Sequence, residues 1–367
     1  GDWSSDVCSS DLERMEKNLF STTPSDKKPL LWAMGNTDHE SEVIIEDIVQ
    51  HQSQGGHLGD IAILYRSKTQ APALEEQLRL SDVPYSIIGG QKFFDKKEIK
   101  DLIAYLCTIH NTSDEISLRR IINIPHRGIG SATLKKFIEL REKKEITLFQ
   151  AMKEYPETAG PRETKIKRFI QFIEEAQQFF QSNSLPAGLG KLIDDIEYNQ
   201  FIDEQYDENP KLAEVKKNDV AQLIGSSERF SQYHSEKTAL KGFIERLLLQ
   251  DSQDNNEEED DGVRKNEVTL MTLHSSKGLE FEKVYLVGVE EETLPHKKSI
   301  AEGANLNEEL RLCYVGMTRA KEELIMTYCK ERKIYGKNIP RHKSRFLFEL
   351  PKNSFIEQDR KIGRAHV

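Results

Sequence analysis

The sequence predicts an α/β protein whose parallel sheet is split in two by an all-helical insert. Three features lead there. Short apolar runs of strand length, Leu30–Met34, Ile61–Tyr65 and Tyr85–Ile88, alternate with amphipathic helical segments. From about Ile109 to Gln250 strand signals vanish and apolar residues recur at helical spacing, as in Leu134, Phe137, Ile138 and Leu140, or Phe169, Phe172, Ile173 and Ala176. After Glu267 strand-like runs return, at Val268–Leu273 and Val284–Val289. The two halves of the sheet must therefore fold together.

Composition narrows the class. At 367 residues the chain holds two or three domains with sizeable cores. The net charge of −10 argues against a uniformly basic nucleic-acid binder but leaves room for a local basic channel. No apolar run approaches the length of a membrane span. Cys8, Cys107, Cys313 and Cys329 lack metal-site spacing, and the last three read as core thiols of a reducing compartment.

The two ends look foreign. Asp2–Leu12 and Lys361–Val367 can be encoded by DNA stretches of which one is largely the reverse complement of part of the other, and both resemble translated sequencing-adapter DNA. Residues 1–12 and 361–367 are therefore set apart from fold reasoning.

Taken in order, 13–28 is polar. After the strand Leu30–Met34, Asn36 or Thr37 caps a helix with Val43, Ile44, Ile48 and Val49 on one face. Ile61–Tyr65 is apolar on both faces and so predicted central. Leu74, Leu78 and Leu80 mark the next helix, and Gly89-Gly90 turns the chain after Tyr85–Ile88. Phe93 and Phe94 lie beside Ile99, Leu102 and Ile103 and read as core rather than as base-stacking aromatics. Asn123-Ile-Pro-His-Arg-Gly-Ile-Gly130 precedes a helix. Gly128-Ile129-Gly130 leaves backbone amides free for a phosphate with Arg127 alongside, or is simply a tight turn. Asp251–Asp261 holds seven acids and reads as a solvated loop.

Two stretches carry the chemistry. Val268–Phe281, V-T-L-M-T-L-H-S-S-K-G-L-E-F, is a strand that breaks into a polar loop. Glu308–Ala320, E-E-L-R-L-C-Y-V-G-M-T-R-A, is an amphipathic helix buried through Leu310, Cys313, Tyr314 and Met317. An arginine fixed at its end, Arg319, suits the charge that develops on a transferring phosphoryl group. It also suits capping of the helix C-terminus, where a cation is favoured.

Together these stretches resemble motifs V and VI of the UvrD/Rep/PcrA-type superfamily I DNA helicases, and Gly89–Leu102 resembles a third family pattern. Tyr335-Gly336 and Ser344–Leu350 are most like the Rep branch. The resemblance implies a RecA-like domain 2A, residues 13–108 and 267–350, interrupted by a helical domain 2B, residues 109–266 with the acidic loop 251–261, and followed by a tail at 351–360. It implies an ATP-dependent helicase of the bacterial cytoplasm that moves 3′→5′ on single-stranded DNA. Arg319 would reach the γ-phosphate of ATP and Glu280 the ribose. Thr272 and His274 would touch single-stranded DNA, and Arg127, Gly128, Ile129 and Gly130 would touch duplex DNA. Two departures stand out: Leu310 replaces the second-last residue of the family's E-E-R-R, and Ala71-Pro72 replaces the Ser-Arg of its N-x-Q-S-R.

No G-x-x-x-x-G-K-[ST] and no Asp-Glu pair ending an apolar strand occurs in these residues. The phosphate-cradling loop and the Mg²⁺ ligands are expected on an upstream domain, with an Asn-Tyr-Arg-Ser motif just before Glu13. Two other readings remain: a non-catalytic DNA-binding or interaction module, and the helicase part of a helicase–nuclease. Oligomeric state and pathway are not written in the sequence. The chain by itself is expected to hydrolyse no ATP. Measurable phosphate release in a coupled assay would overturn the domain assignment.

Overall fold

The computed structural model describes residues 27–233, 239–248, 265–302, 306–334, 337–351 and 353–360. The acidic run 251–261, both terminal stretches, Tyr335-Gly336 and most of 13–28 lie outside the described residues. The chain divides into two compact units, 1–92 with 259–367, and 93–258.

The first unit is built on a seven-stranded sheet. Its strands are β1 (Leu30–Met34), β2 (Ile61–Tyr65), β3 (Tyr85–Ile88), β4 (Val268–Thr272), β5 (Phe281–Val287), β6 (Ala320–Cys329) and, after an antiparallel hairpin of β7 (Glu331–Ile334) and β8 (Lys337–Pro340), β9 (Ile356–Asp359). The order is β3-β4-β2-β5-β6-β1-β9, and all six pairings are parallel. β2 sits between β4 and β5 with every residue buried, as its two-faced apolar run predicts.

Helices α1 (Thr37–Ser53) and α2 (Ala71–Leu80) cover the face that presents Trp32, Ile63, Leu270 and Tyr285. The Asn36 side chain caps α1 by accepting from the His39 amide at 2.9 Å. The buried stripe of α1 runs through Val43, Ile44, Ile45 and Ile48, while Val49 and Leu80, both predicted inward, are exposed. The opposite face, with Leu31, Leu64, Met271 and Leu286, is covered by α13 (Leu306–Met317), which follows the short helix α12 (Lys297–Glu302), and by Phe346, Leu347 and Leu350.

Residues 351–360, expected to be a tail, supply β9. It pairs with β1 from Leu30↔Ile356 to Ala33↔Asp359. Its side chains face outward, so no apolar alternation marks it in the sequence. Polar ties hold it instead, including Trp32 Nε1 to Gln358 at 3.1 Å and Tyr328 Oη to Glu357 at 3.2 Å.

Between β3 and β4 the described residues hold helices only: α3 (Lys97–His110), α4 (Glu115–Ile121), α5 (Ser131–Lys144), α6 (Leu148–Glu154), α7 (Glu163–Ser182), α8 (Leu185–Asp195), α9 (Tyr198–Gln205), α10 (Pro210–Tyr233) and α11 (Ala239–Leu248). The helical unit begins at Phe93, earlier than the boundary at 109 drawn from periodicity. The reason is α3: its Ile99, Leu102, Tyr105 and Leu106 join the core shared with α4, α7, α10 and α11. Phe93 and Phe94 are buried edge to face in that same core. At the other end the division falls at 258/259 rather than 266/267, within the undescribed residues.

Burial pushes the thiols of Cys107 and Cys313 up, to about 11 and about 12, and that of Cys329 well above its ordinary value. All three are inert core thiols, as the sequence predicts.

A charged triad lies inside the first unit. Arg332 joins Glu40 of α1 at 2.8 Å and Glu290 at 2.5 Å, and all three are buried. Thr327 Oγ1 donates to Glu40, and the Cys329 amide donates to Glu290. These bonds tie α1, β6, β7 and the segment after β5 into one body. Arg332→Leu strands two buried carboxylates and should lower the unfolding free energy by about 3–5 kcal/mol. A urea titration showing a loss below about 1 kcal/mol would show that the triad is dispensable.

Candidate nucleotide and nucleic-acid sites

The β4–β5 connection organises the first unit. Tyr65↔Thr272 places Thr272 at the carboxyl edge of the sheet, whereas Phe281↔Ala320 places Phe281 at the amino edge. Residues 273–280 therefore cross one face of the sheet from edge to edge. Leu273 and Ser276 are buried along the way, and Ser276 Oγ donates to the Leu273 carbonyl at 2.8 Å. Gly278 takes a left-handed φ of 85° that few side chains tolerate.

The groups predicted on this stretch are thus separated. At the amino edge, Glu280 is exposed beside Arg319. Arg319 donates from Nε to the Val315 carbonyl at 2.9 Å, from Nη1 to the Leu279 carbonyl at 2.9 Å, and from Nη2 to Thr318 Oγ1 at 3.0 Å. The Arg319 carbonyl accepts from the Phe281 amide at 2.9 Å. So Arg319 both caps α13 and clips the crossing loop to it. Guanidinium has five donors, which leaves some for a ligand.

At the carboxyl edge, Thr272 Oγ1 meets Ser275 Oγ at 3.0 Å, and His274 is exposed. Lys68 donates to the Gly89 carbonyl at 2.9 Å. Gly89 has φ 74°, and a Cβ there would meet Ser275 Oγ at 2.9 Å. The ends of β2, β3 and β4 thereby gather hydroxyl, imidazole and ammonium groups, a set that grips phosphates without reading sequence.

Beneath the loop, Gly316 allows close approach of α13: a Cβ would lie 2.5 Å from Leu273 Cδ2 and 3.2 Å from Leu286 Cδ1. Glu309 on the same helix is buried and takes a two-pronged bond from Arg66, Nε at 2.9 Å and Nη2 at 2.6 Å. Ser299 Oγ and the His296 amide also donate to it, at 2.9 and 3.1 Å. Burial alone would raise the Glu309 pKa, but these donors hold it below the ordinary glutamate value.

In the helical unit, Arg127 does not face outward. Its Nη1 donates to the carbonyls of Ile121 at 3.0 Å and Ile124 at 2.9 Å, Nη2 donates to Tyr105 Oη at 2.6 Å, and the guanidinium lies over Phe169. Ile129 is buried, so only its backbone is open. Asn123 Oδ1 holds the turn by accepting from the amides of Arg127 and Ile129, at 2.9 and 3.1 Å. Gly128, with φ 70°, and Gly130 are exposed.

Among the described residues, no three His, Cys, Asp or Glu side chains are placed to hold a metal ion. No described helix is long and apolar enough to cross a membrane.

The family description "UvrD-like helicase C-terminal domain" matches residues 2–331. The chain belongs to that family. The matched span begins inside the terminal stretch 1–12. The chain is 38% identical over 357 residues to ATP-dependent DNA helicase Rep of Salmonella typhimurium, covering 95% of this chain and 52% of that protein. It is 34% identical to DNA helicase II of Escherichia coli and 33% identical to ATP-dependent DNA helicase PcrA of Bacillus subtilis, covering 94% of this chain and 47% of each. The chain spans about half the length of the curated relatives it matches.

Within this UvrD-like chain both departures have a structural setting. Leu310 packs partly buried against the core under α13. Pro72 is buried in the first turn of α2, where a missing amide proton costs nothing. The Arg66–Glu309 tie was legible in part: Glu309 lies one turn before Cys313 and shares its inward phase.

Glu309 gives a pH prediction. Its folded pKa is depressed, so its contribution to stability is complete above its unfolded value near 4.5 and is lost as pH falls through the folded value. Glu309→Gln should show a shallower acid loss of urea midpoint than wild type. Parallel pH curves would refute this.

Proposed function

We propose that the chain is the C-terminal motor half of an ATP-dependent DNA helicase that moves 3′→5′ on single-stranded DNA and unwinds duplex ahead of it. The observation that carries this reading is the crossing loop 273–280. One short segment runs from Thr272 and His274 at the carboxyl edge of the sheet to Glu280 at the amino edge, where Arg319 bonds the residues on either side of Glu280.

In this reading Arg319 meets the γ-phosphate of ATP, and the Glu280 carboxylate accepts from the ribose hydroxyls. Hydrolysis changes the charge at Arg319. Arg319 is bonded to the Leu279 carbonyl and Phe281 amide, so a shift of its guanidinium pulls on the loop. At the loop's other end Thr272 and His274 hold the DNA strand. ATP and DNA are then coupled through one short peptide, clipped to α13 by Arg319, whose two ends bind different ligands. In the helical unit, the exposed backbone of Gly128–Gly130 meets duplex phosphates, with Arg127 holding the turn from beneath. Mg²⁺ supplies charge neutralisation on the phosphates when bound, through ligands expected outside this chain. The relatives' names, which include ATP-dependent DNA helicases, support the activity.

The test uses the protein with its upstream ATP-binding domain. Arg319→Ala should abolish DNA-stimulated ATP hydrolysis, by about 10³-fold or more, while fluorescent nucleotide binding stays within a few-fold of wild type. Retained turnover would remove Arg319 from the reaction and with it the coupling route.

A further inference from the structure

Arg127, the cation next to the Gly128–Gly130 turn in sequence, is turned inward onto carbonyls and an aromatic face. Other cations reach the turn from the start of α7. Arg162 donates from Nε to the Gly128 carbonyl. The Lys165 ammonium lies over Gly128, 3.1 Å from where a Cβ would stand. Both side chains are exposed.

Their positions run against local preference. Arg162 is the N-cap residue of α7 and makes no side-chain cap bond, and Lys165 lies in the first turn. Helix N-termini favour anions. Neighbouring Glu163 does not relieve Lys165, because it pairs with Lys167 at 2.6 Å. Among the described residues Lys165 has no carboxylate partner. The N-terminus of α5 opens on the same turn: its N-cap is Gly130, with no side-chain cap bond. The amides of Gly128, Gly130, Ser131 and Ala132 have no acceptor among the described residues. Two helix N-termini without side-chain caps and two cations thus converge on one glycine-bare turn. Local rules broken together in this way mark a ligand site, here one for a phosphate.

We propose that Lys165 is the phosphate-contacting cation of this turn, that Arg162 positions the turn for it, and that Arg127 serves only to hold the turn from within. This rests on the duplex-DNA reading above and names the residue that carries it.

The test is fluorescence anisotropy of the full chain with a labelled blunt duplex and a labelled oligothymidylate, over a salt series. Lys165→Gln should weaken duplex binding several-fold and reduce the slope of log K against log salt by about one. Single-strand affinity and thermal midpoint should not change, and Lys165→Arg should restore the slope. Arg127→Lys should lower the thermal midpoint and leave the slope intact. If wild type binds duplex and Lys165→Gln keeps its slope, the inference is wrong while the duplex reading stands. A slope that falls by about one in Arg127→Lys would return that residue to the phosphate. Absence of any salt-dependent duplex binding by wild type would overturn both.

Discussion

The reciprocal bonds between Arg319 and the crossing loop are the constraint on which the first unit depends. Nη1 donates to the Leu279 carbonyl, and the Arg319 carbonyl receives the Phe281 amide. They fix where β5 begins and therefore its register with β6. Arg319 Nε also donates to the Val315 carbonyl in the last turn of α13. Gly316 lets the helix approach closely enough for those bonds to form. The residue proposed to meet the phosphate of ATP is thus also a structural clip. Its ligand-bound and ligand-free bonding must differ by only a few donors.

Ion pairs reinforce the same logic at a second level. Arg66, at the end of β2, holds Glu309 of α13, and Arg332 holds Glu40 and Glu290. Each joins elements far apart in sequence. Such pairs contribute less through net Coulomb energy than through the cost of leaving any one partner buried alone. They make the order of elements unforgiving, which suits a domain built from two separated stretches of chain.

Much of this was legible in the sequence, for physical reasons that differ by element. β2, β4 and β5 are runs of apolar residues between breakers, so their existence, and for the two-faced run of β2 its central position, could be read directly. α13 announced itself through Cys313 and Met317. β9 did not, because Ile356–Asp359 is held by backbone pairing and polar ties rather than by an apolar face. The start of the helical unit was misplaced because α3 continues the rhythm of the preceding α/β segment, and only its packing partners reveal where it belongs. Motif V fixed Thr272 and Glu280 as a pair in sequence. That they stand at opposite edges of the sheet follows only from register. The inward turn of Arg127 was not legible: spacing places a guanidinium near a turn but says nothing of the direction in which it points.

β9 also bears on solubility. β1 reads Leu-Leu-Trp-Ala-Met, a buried apolar strand whose backbone would be an open template if nothing lay beside it. β9 covers that side and presents Glu357, Gln358 and Asp359, with carboxylates tied to Lys330, Tyr328 and Lys343. A polar, charge-bearing strand laid over an apolar one is a guard against pairing with another chain. Residues 356–359, unremarkable in composition, thereby keep apolar β1 from becoming the rim of the sheet.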